Sequence, residues 1–232
     1  MAHKFEWMGN KNSSKWMIGN SQMAKFQCSG DYQILYKRGG KITEIVAEAE
    51  WVITSKKATH VIIDGIQNSV KAIHQGILSL EKDIMPRLKA LNKRAQVVLA
   101  EVLYCPEHLQ YEDTLQLINR QVRRINREAS GLKSPQPWRA LSRMEKLRSR
   151  KGKKQVEIFP SAFARDNYHI NKQHLRTYER KLNAFMVAMV EGESRIKASQ
   201  QSSSTTTQSS FPSTQERGGR AVEANVLDCS MD

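Results

Sequence analysis

An aspartate at position 166 and a histidine at 169, in the run Asp166-Asn167-Tyr168-His169, have a spacing that can put both side chains on one short turn. A carboxylate placed there can fix the imidazole tautomer through one ring nitrogen and leave the other to act as a base. A candidate nucleophile stands near the other end of the chain. Lys15-Trp16-Met17-Ile18 reads as a short buried strand, and Gly19-Asn20-Ser21 follows it. The order is strand, glycine turn, then a serine opening a helix whose N-terminus supplies free N–H groups and positive potential. A serine hydroxyl is a weak nucleophile until a base takes its proton, so Ser21, His169 and Asp166 would be nucleophile, base and orienting group. Each piece also has a plain structural role. A serine after a turn commonly caps a helix, and an Asp–His pair at this spacing often satisfies itself at the surface. His74, His108 and His174 read as structural, and Cys105 with His108 makes no usable thiol–imidazole pair.

Two further blocks lie between these. Gly39-Gly40-Lys41-Ile42-Thr43-Glu44-Ile45 follows a second apolar segment, and Gly65-Ile66-Gln67-Asn68 follows a third. In order and rough spacing the four blocks resemble the SGNH (GDSL-type) hydrolases, over residues 15 to about 190. That resemblance implies an acyl-ester hydrolase in which Ser21, His169 and Asp166 form a triad. It also implies an oxyanion hole drawn from the N–H groups of Ser21 and Gly39, with Gly40 the weaker alternative, and a side-chain amide. Two positions depart from the family pattern. Asn20 stands where the family usually has Asp, and Gln67 stands where it has the oxyanion asparagine, with Asn68 one position later. The implied substrate is a small ester, such as a carbohydrate O-acetyl group. The competing reading is a catalytically weak or inactive fold of this type, used to bind nucleic acid or protein, as in a mobile-element protein.

The elements that must position these residues follow from periodicity. Apolar, β-branched segments at Trp16–Gly19, Tyr32–Tyr36, Val61–Asp64, Gln96–Val102 and Val156–Phe159 alternate with helical patterns. A helix is expected from Ile42 to about Ile53. A long amphipathic one is expected from Val70 to Leu91, with a kink at Pro86. Further helices carry Leu115, Ile118, Val122 and Ile125, and then Leu175, Tyr178, Leu182, Phe185 and Met189. This alternation predicts an α/β fold, a doubly wound, mainly parallel five-stranded sheet flanked by helices, with the four blocks at the carboxyl ends of strands.

Composition bounds the rest. A chain of 232 residues with 39% hydrophobic and 26% charged residues suits one domain, residues 1–192, followed by a disordered Ser/Thr/Gln-rich tail, residues 193–232. No apolar run approaches the ~20 residues of a membrane-spanning helix. The N-terminus lacks a signal-peptide core. Three scattered cysteines imply neither a disulfide framework nor a zinc site, so an intracellular (cytoplasmic or nuclear) location is expected, with no cofactor and no metal. The net charge of +14 is concentrated: residues 120–154 hold thirteen Lys or Arg against Glu128 and Glu145. This region includes a basic insertion at about 131–154. Arg148, Arg150, Lys151, Lys153 and Lys154 form a segment that could hold nucleic acid or an anionic surface, or serve only as a soluble insertion.

Overall fold

The computed structural model describes residues 4–28, 30–140, 142–146, 154–158, 160–166 and 168–204. Residues up to Glu193 form one compact unit. Its centre is a five-stranded sheet made of β1 (Glu6–Gly9), β2 (Lys15–Gly19), β3 (Gln33–Tyr36), β4 (His60–Asp64) and β5 (Gln96–Leu99), in the order β1-β3-β2-β4-β5. β2 pairs in parallel with both β3 and β4, and β4 pairs in parallel with β5. Trp16, Met17, Ile18, Val61, Ile62 and Ile63 are fully buried, as expected for strands covered on both faces. α1 (Ile42–Ser55) packs on β2 and β4, while α3 (Met85–Leu91) and α4 (Glu112–Ser130) pack on β5 and on each other.

The fold class expected from the sequence is the one observed, but two elements change. The fifth strand of the sheet is β1, antiparallel to β3 at the edge, and not Val156–Phe159. Residues Val156–Ile158 of the latter segment instead fall in β7 (Lys154–Ile158), which pairs antiparallel with β6 (Ser142–Lys146) in a separate two-stranded ribbon, and Phe159 lies outside the described residues. Apolar alternation identifies a strand but not its partner, and four strand residues mostly exposed, as in β1, give little periodic signal. The long helix expected over Val70–Leu91 is also broken. α2 (Val70–His74) ends before Gly76, whose φ of +70° suits glycine and stops the helix. The chain restarts at Ser79, which caps the Lys82 N–H while Asp83 accepts from the Ser79 N–H. Pro86 lies at the start of α3, directly after a π-helical turn over Leu80–Ile84, so the helical run changes from π to α where its N–H is missing.

α5 (Lys172–Ser204) closes the fold. Leu175, Tyr178, Leu182, Met186 and Met189 are its buried face. The expected domain boundary at residue 192 falls inside this helix, and residues 205–232 lie outside the described residues. Two polar contacts join α5 to the sheet end. Glu179, 4% exposed, accepts from the N–H groups of Gln27 and Cys28 and from the Tyr32 hydroxyl at 2.6 Å. Tyr178 donates to Asp64 at 2.8 Å.

Burial pushes the Asp64 carboxyl up to about 6, although the Tyr178 hydrogen bond pulls the other way. A carboxyl raised on folding favours the folded state fully below its unfolded pKa, and that contribution is lost as pH rises through the folded value. Wild-type stability should therefore fall by about 2 kcal/mol between pH 4 and pH 7 from this group. Denaturant melts across that range should show the loss in wild type and not in Asp64→Asn; parallel profiles would refute it.

Candidate active site

The carboxyl ends of β2, β3 and β4 meet where the strand order reverses on either side of β2, the position at which doubly wound sheets hold their ligands. Ser21 follows β2 directly. It opens a single 3-10 turn, Ser21–Lys25, so the helix expected there is too short to contribute much dipole. Asn20 caps that turn, its side chain accepting from the Gln22 N–H at 3.0 Å. Among the described residues the Ser21 N–H has no hydrogen-bond partner.

The Ser21 hydroxyl lies 3.0 Å from His169 Nε2, although 148 positions separate the two residues in the chain. On the other side of the ring, Nδ1 lies 2.6 Å from Asp166 Oδ2. The second carboxylate oxygen of Asp166 accepts the N–H groups of Tyr168 and His169. The hydrogen bond from His169, first among these contacts, holds the Asp166 carboxyl down at about 2, so it is ionised at neutral pH. An ionised acceptor at Nδ1 puts the ring proton there and leaves Nε2 as the acceptor for the Ser21 O–H.

The loop bearing His169 does not hang from a sheet strand. It is a narrow turn closed by a bridge between Phe163 and Ile170, with the Ala164 N–H donating to the His169 carbonyl at 2.7 Å. Gln22 ties this loop to the serine. Its Nε2 donates to the Tyr168 carbonyl and its Oε1 accepts from the Ile170 N–H, both at 3.1 Å. These contacts straddle His169, and Gln22 is 4% exposed. Sequence reasoning missed this role, because a glutamine beside a serine carries no signal of a contact so distant in the chain.

Gly39 has a φ of +64°, a conformation that favours glycine, and its N–H is without a partner among the described residues. The Gly40 N–H is committed to the Lys37 carbonyl at 3.1 Å. Asn68 spans the site: its Nδ2 donates to the Gly40 carbonyl at 3.1 Å, and its Oδ1 accepts the Tyr168 hydroxyl. Gln67 points elsewhere. Its Nε2 lies 3.1 Å from Cys105 Sγ and 2.9 Å from His108 Nδ1, and its Oε1 is buried without a partner. Burial pushes the Cys105 thiol up to about 11, which leaves it protonated, and lowers the His108 pKa, which keeps that ring neutral. His108 also meets the Tyr168 ring edge-on at 5.6 Å. Tyr168, lying inside the Asp-x-x-His run, was in view in the sequence but without a role.

Of the basic segment, Arg148, Arg150, Lys151 and Lys153 lie outside the described residues, and Lys154 begins β7. Among the described residues no group of His, Cys, Asp or Glu could hold a metal ion, and no helix is long and apolar enough to cross a membrane.

If Gln22 holds the histidine loop against the serine, Gln22→Ala should weaken the Ser21–His169 hydrogen bond while the chain stays folded. The 15N shift of His169 Nε2, which reports whether that nitrogen accepts a proton, should move toward its value in Ser21→Ala. An unchanged shift in Gln22→Ala would remove this role.

No family model matches the sequence, and no curated protein matches it. Among solved structures, the chain is similar to a GDSL-like lipase from Bacteroides thetaiotaomicron, at 13% identity and a TM-score of 0.54, over 75% of this chain and 87% of that one. It is similar to a carbohydrate esterase family 3 protein from Talaromyces cellulolyticus, at 14% and 0.53, over 77% and 98%. An acetyl xylan esterase from Geobacillus stearothermophilus matches at 16% and 0.50, over 76% and 97%. At these identities the likeness is one of architecture, and the chain carries the SGNH hydrolase fold.

Proposed function

We propose that the protein is a serine esterase that hydrolyses a small acyl ester through Ser21, His169 and Asp166. The observation that carries this reading is the continuous chain of contacts from Ser21 Oγ to His169 Nε2 and from His169 Nδ1 to Asp166 Oδ2, at 3.0 and 2.6 Å. In this mechanism His169 takes the hydroxyl proton as Ser21 attacks the ester carbonyl. The negative charge that develops on the carbonyl oxygen meets the N–H groups of Ser21 and Gly39. His169 then returns the proton to the leaving alcohol, and water, deprotonated by the same imidazole, releases the acyl group from Ser21.

The third oxyanion donor is the amide of Asn68. Gln67 is turned toward Cys105 and His108, whereas Asn68 Nδ2 borders the Gly39–Gly40 turn and has a second hydrogen to give. Acetyl xylan esterases among the structural neighbours make an O-acetylated carbohydrate the first substrate to try. The charge of residues 120–154 favours a second reading, a non-hydrolytic fold of this type that binds nucleic acid or protein.

A fluorophosphonate probe separates the two. Wild-type protein should be labelled at Ser21, and Ser21→Ala and His169→Ala should each abolish both labelling and hydrolysis of p-nitrophenyl acetate. Asp166→Asn should lower turnover roughly 10⁴-fold, because the wrong tautomer is favoured. No labelling, and no activity that Ser21→Ala removes, would leave the binding reading.

The oxyanion assignment has its own test. Asn68→Ala should lower kcat by roughly 10²–10³, the usual cost of one such donor. Gln67→Ala should cost far less, and the reverse order would return the role to Gln67.

A further inference from the structure

A cavity of about 390 Å³ opens beside the last turns of α4, lined by Arg123, Arg127, Lys133, Ser134 and Gln136, none of which belongs to the Ser21 site. Its size is that of a small-molecule pocket. The lining is rich in donors. Arg123 is fixed by Glu101, a carboxylate with no exposed surface, which accepts only the Nη1 of that guanidinium at 3.1 and 3.2 Å. Glu101 also accepts Gln136 Nε2 at 2.6 Å and the Trp138 indole N–H at 3.0 Å, so it is fully engaged. Arg123 therefore keeps Nη2 and Nε for another partner, held in place by a buried anchor.

Arg127 lies one helical turn beyond Arg123, and Lys133 follows the end of α4. Neither has a carboxylate partner among the described residues, although Arg124 and Lys89 nearby are both paired with acids. Ser134, 8% exposed, accepts from Asn126 Nδ2 through its oxygen, which leaves its O–H to donate. Glu101 balances one of the three cations, so two positive charges in the lining are unmatched among the described residues.

We propose that this cavity binds the terminal phosphate of a small phosphate monoester. Such a group carries about −1.5 to −2 charge near neutral pH and offers acceptor oxygens only, which complements two unmatched cations and a lining of donors. A nucleic-acid backbone fits less well, since each diester carries a single charge and the described lining residues include no stacking aromatic. The carbonyls ending α4 add negative potential there, so anion affinity must come from the side chains and should be sensitive to their loss.

Isothermal titration calorimetry on the full chain tests this, with glucose 6-phosphate and inorganic phosphate as probes and a thymidine oligonucleotide lacking a terminal phosphate as competitor. Saturable one-to-one binding of glucose 6-phosphate is expected. It should weaken at least tenfold in Lys133→Gln and further in Arg127→Gln/Lys133→Gln, and should be unchanged in Ser21→Ala. Lys133 is exposed beyond the helix, so the single variant decides the matter if the double variant does not fold. Inorganic phosphate should compete, because the phosphate is the group recognised. The proposal is overturned by an absence of saturable binding, by an equal loss in the control Arg148→Gln/Arg150→Gln, or by an oligonucleotide that competes as strongly as glucose 6-phosphate. Because Ser21→Ala leaves the pocket intact, failure here and failure of the esterase reading are separate results.

Discussion

Strands buried on both faces can offer chemistry only where they end. β2 and β4 lie side by side in the middle of the sheet with their apolar residues wholly excluded from water, so none of those apolar side chains can reach a ligand. What remains is the line where parallel strands stop together. β2, β3 and β4 stop in register, with Gly19 opposite both Tyr36 and Asp64. The residues just beyond them, Ser21, Gly39 and Asn68, are thereby gathered from three separate stretches of chain, two of which are also joined by the Asn68–Gly40 hydrogen bond.

That arrangement supplies the Ser21 hydroxyl and the N–H and amide groups around it, but not the imidazole. His169 arrives on a loop with no strand of the sheet behind it, and two buried polar side chains make up for the missing ladder. Gln22 stands in for a strand by pairing with backbone on both sides of the histidine. Glu179 gathers two N–H groups and a hydroxyl from the 27–32 region onto α5. The charge-assisted hydrogen bonds to Glu179 contribute about 1.5–3 kcal/mol each, and the neutral ones of Gln22 about 0.5–1.5 kcal/mol each. They also fix direction, which apolar packing alone does poorly.

Periodicity made the parallel core legible, because buried strands of Val and Ile and helices with three- and four-residue apolar spacing have local causes. The helix carrying Leu115, Ile118, Val122 and Ile125 is found as α4 with all four buried. The partner of a strand is not a local property, and so the segment near Val156 was placed in the wrong sheet while Glu6–Gly9 went unnoticed. Gly76 outweighed the apolar pattern across Val70–Leu91, and Ile77, an apolar residue just after it, is 76% exposed. At the site, the Ser21, Asp166 and His169 positions were visible as motifs. The destinations of the Gln67 and Asn68 amides were not, since they depend on His108, Cys105 and Tyr168, which lie far away in sequence.

The distance between Ser21 and His169 along the chain has a consequence for synthesis. Translation delivers the sheet and the serine first and the histidine loop late, after β5 and α4 have emerged. A nascent chain interrupted anywhere before residue 166 has Ser21 without its imidazole partner, and the amide of Gln22 without the backbone that it pairs with. The Ser21–His169 contact can thus form only after the loop that carries the imidazole has been made.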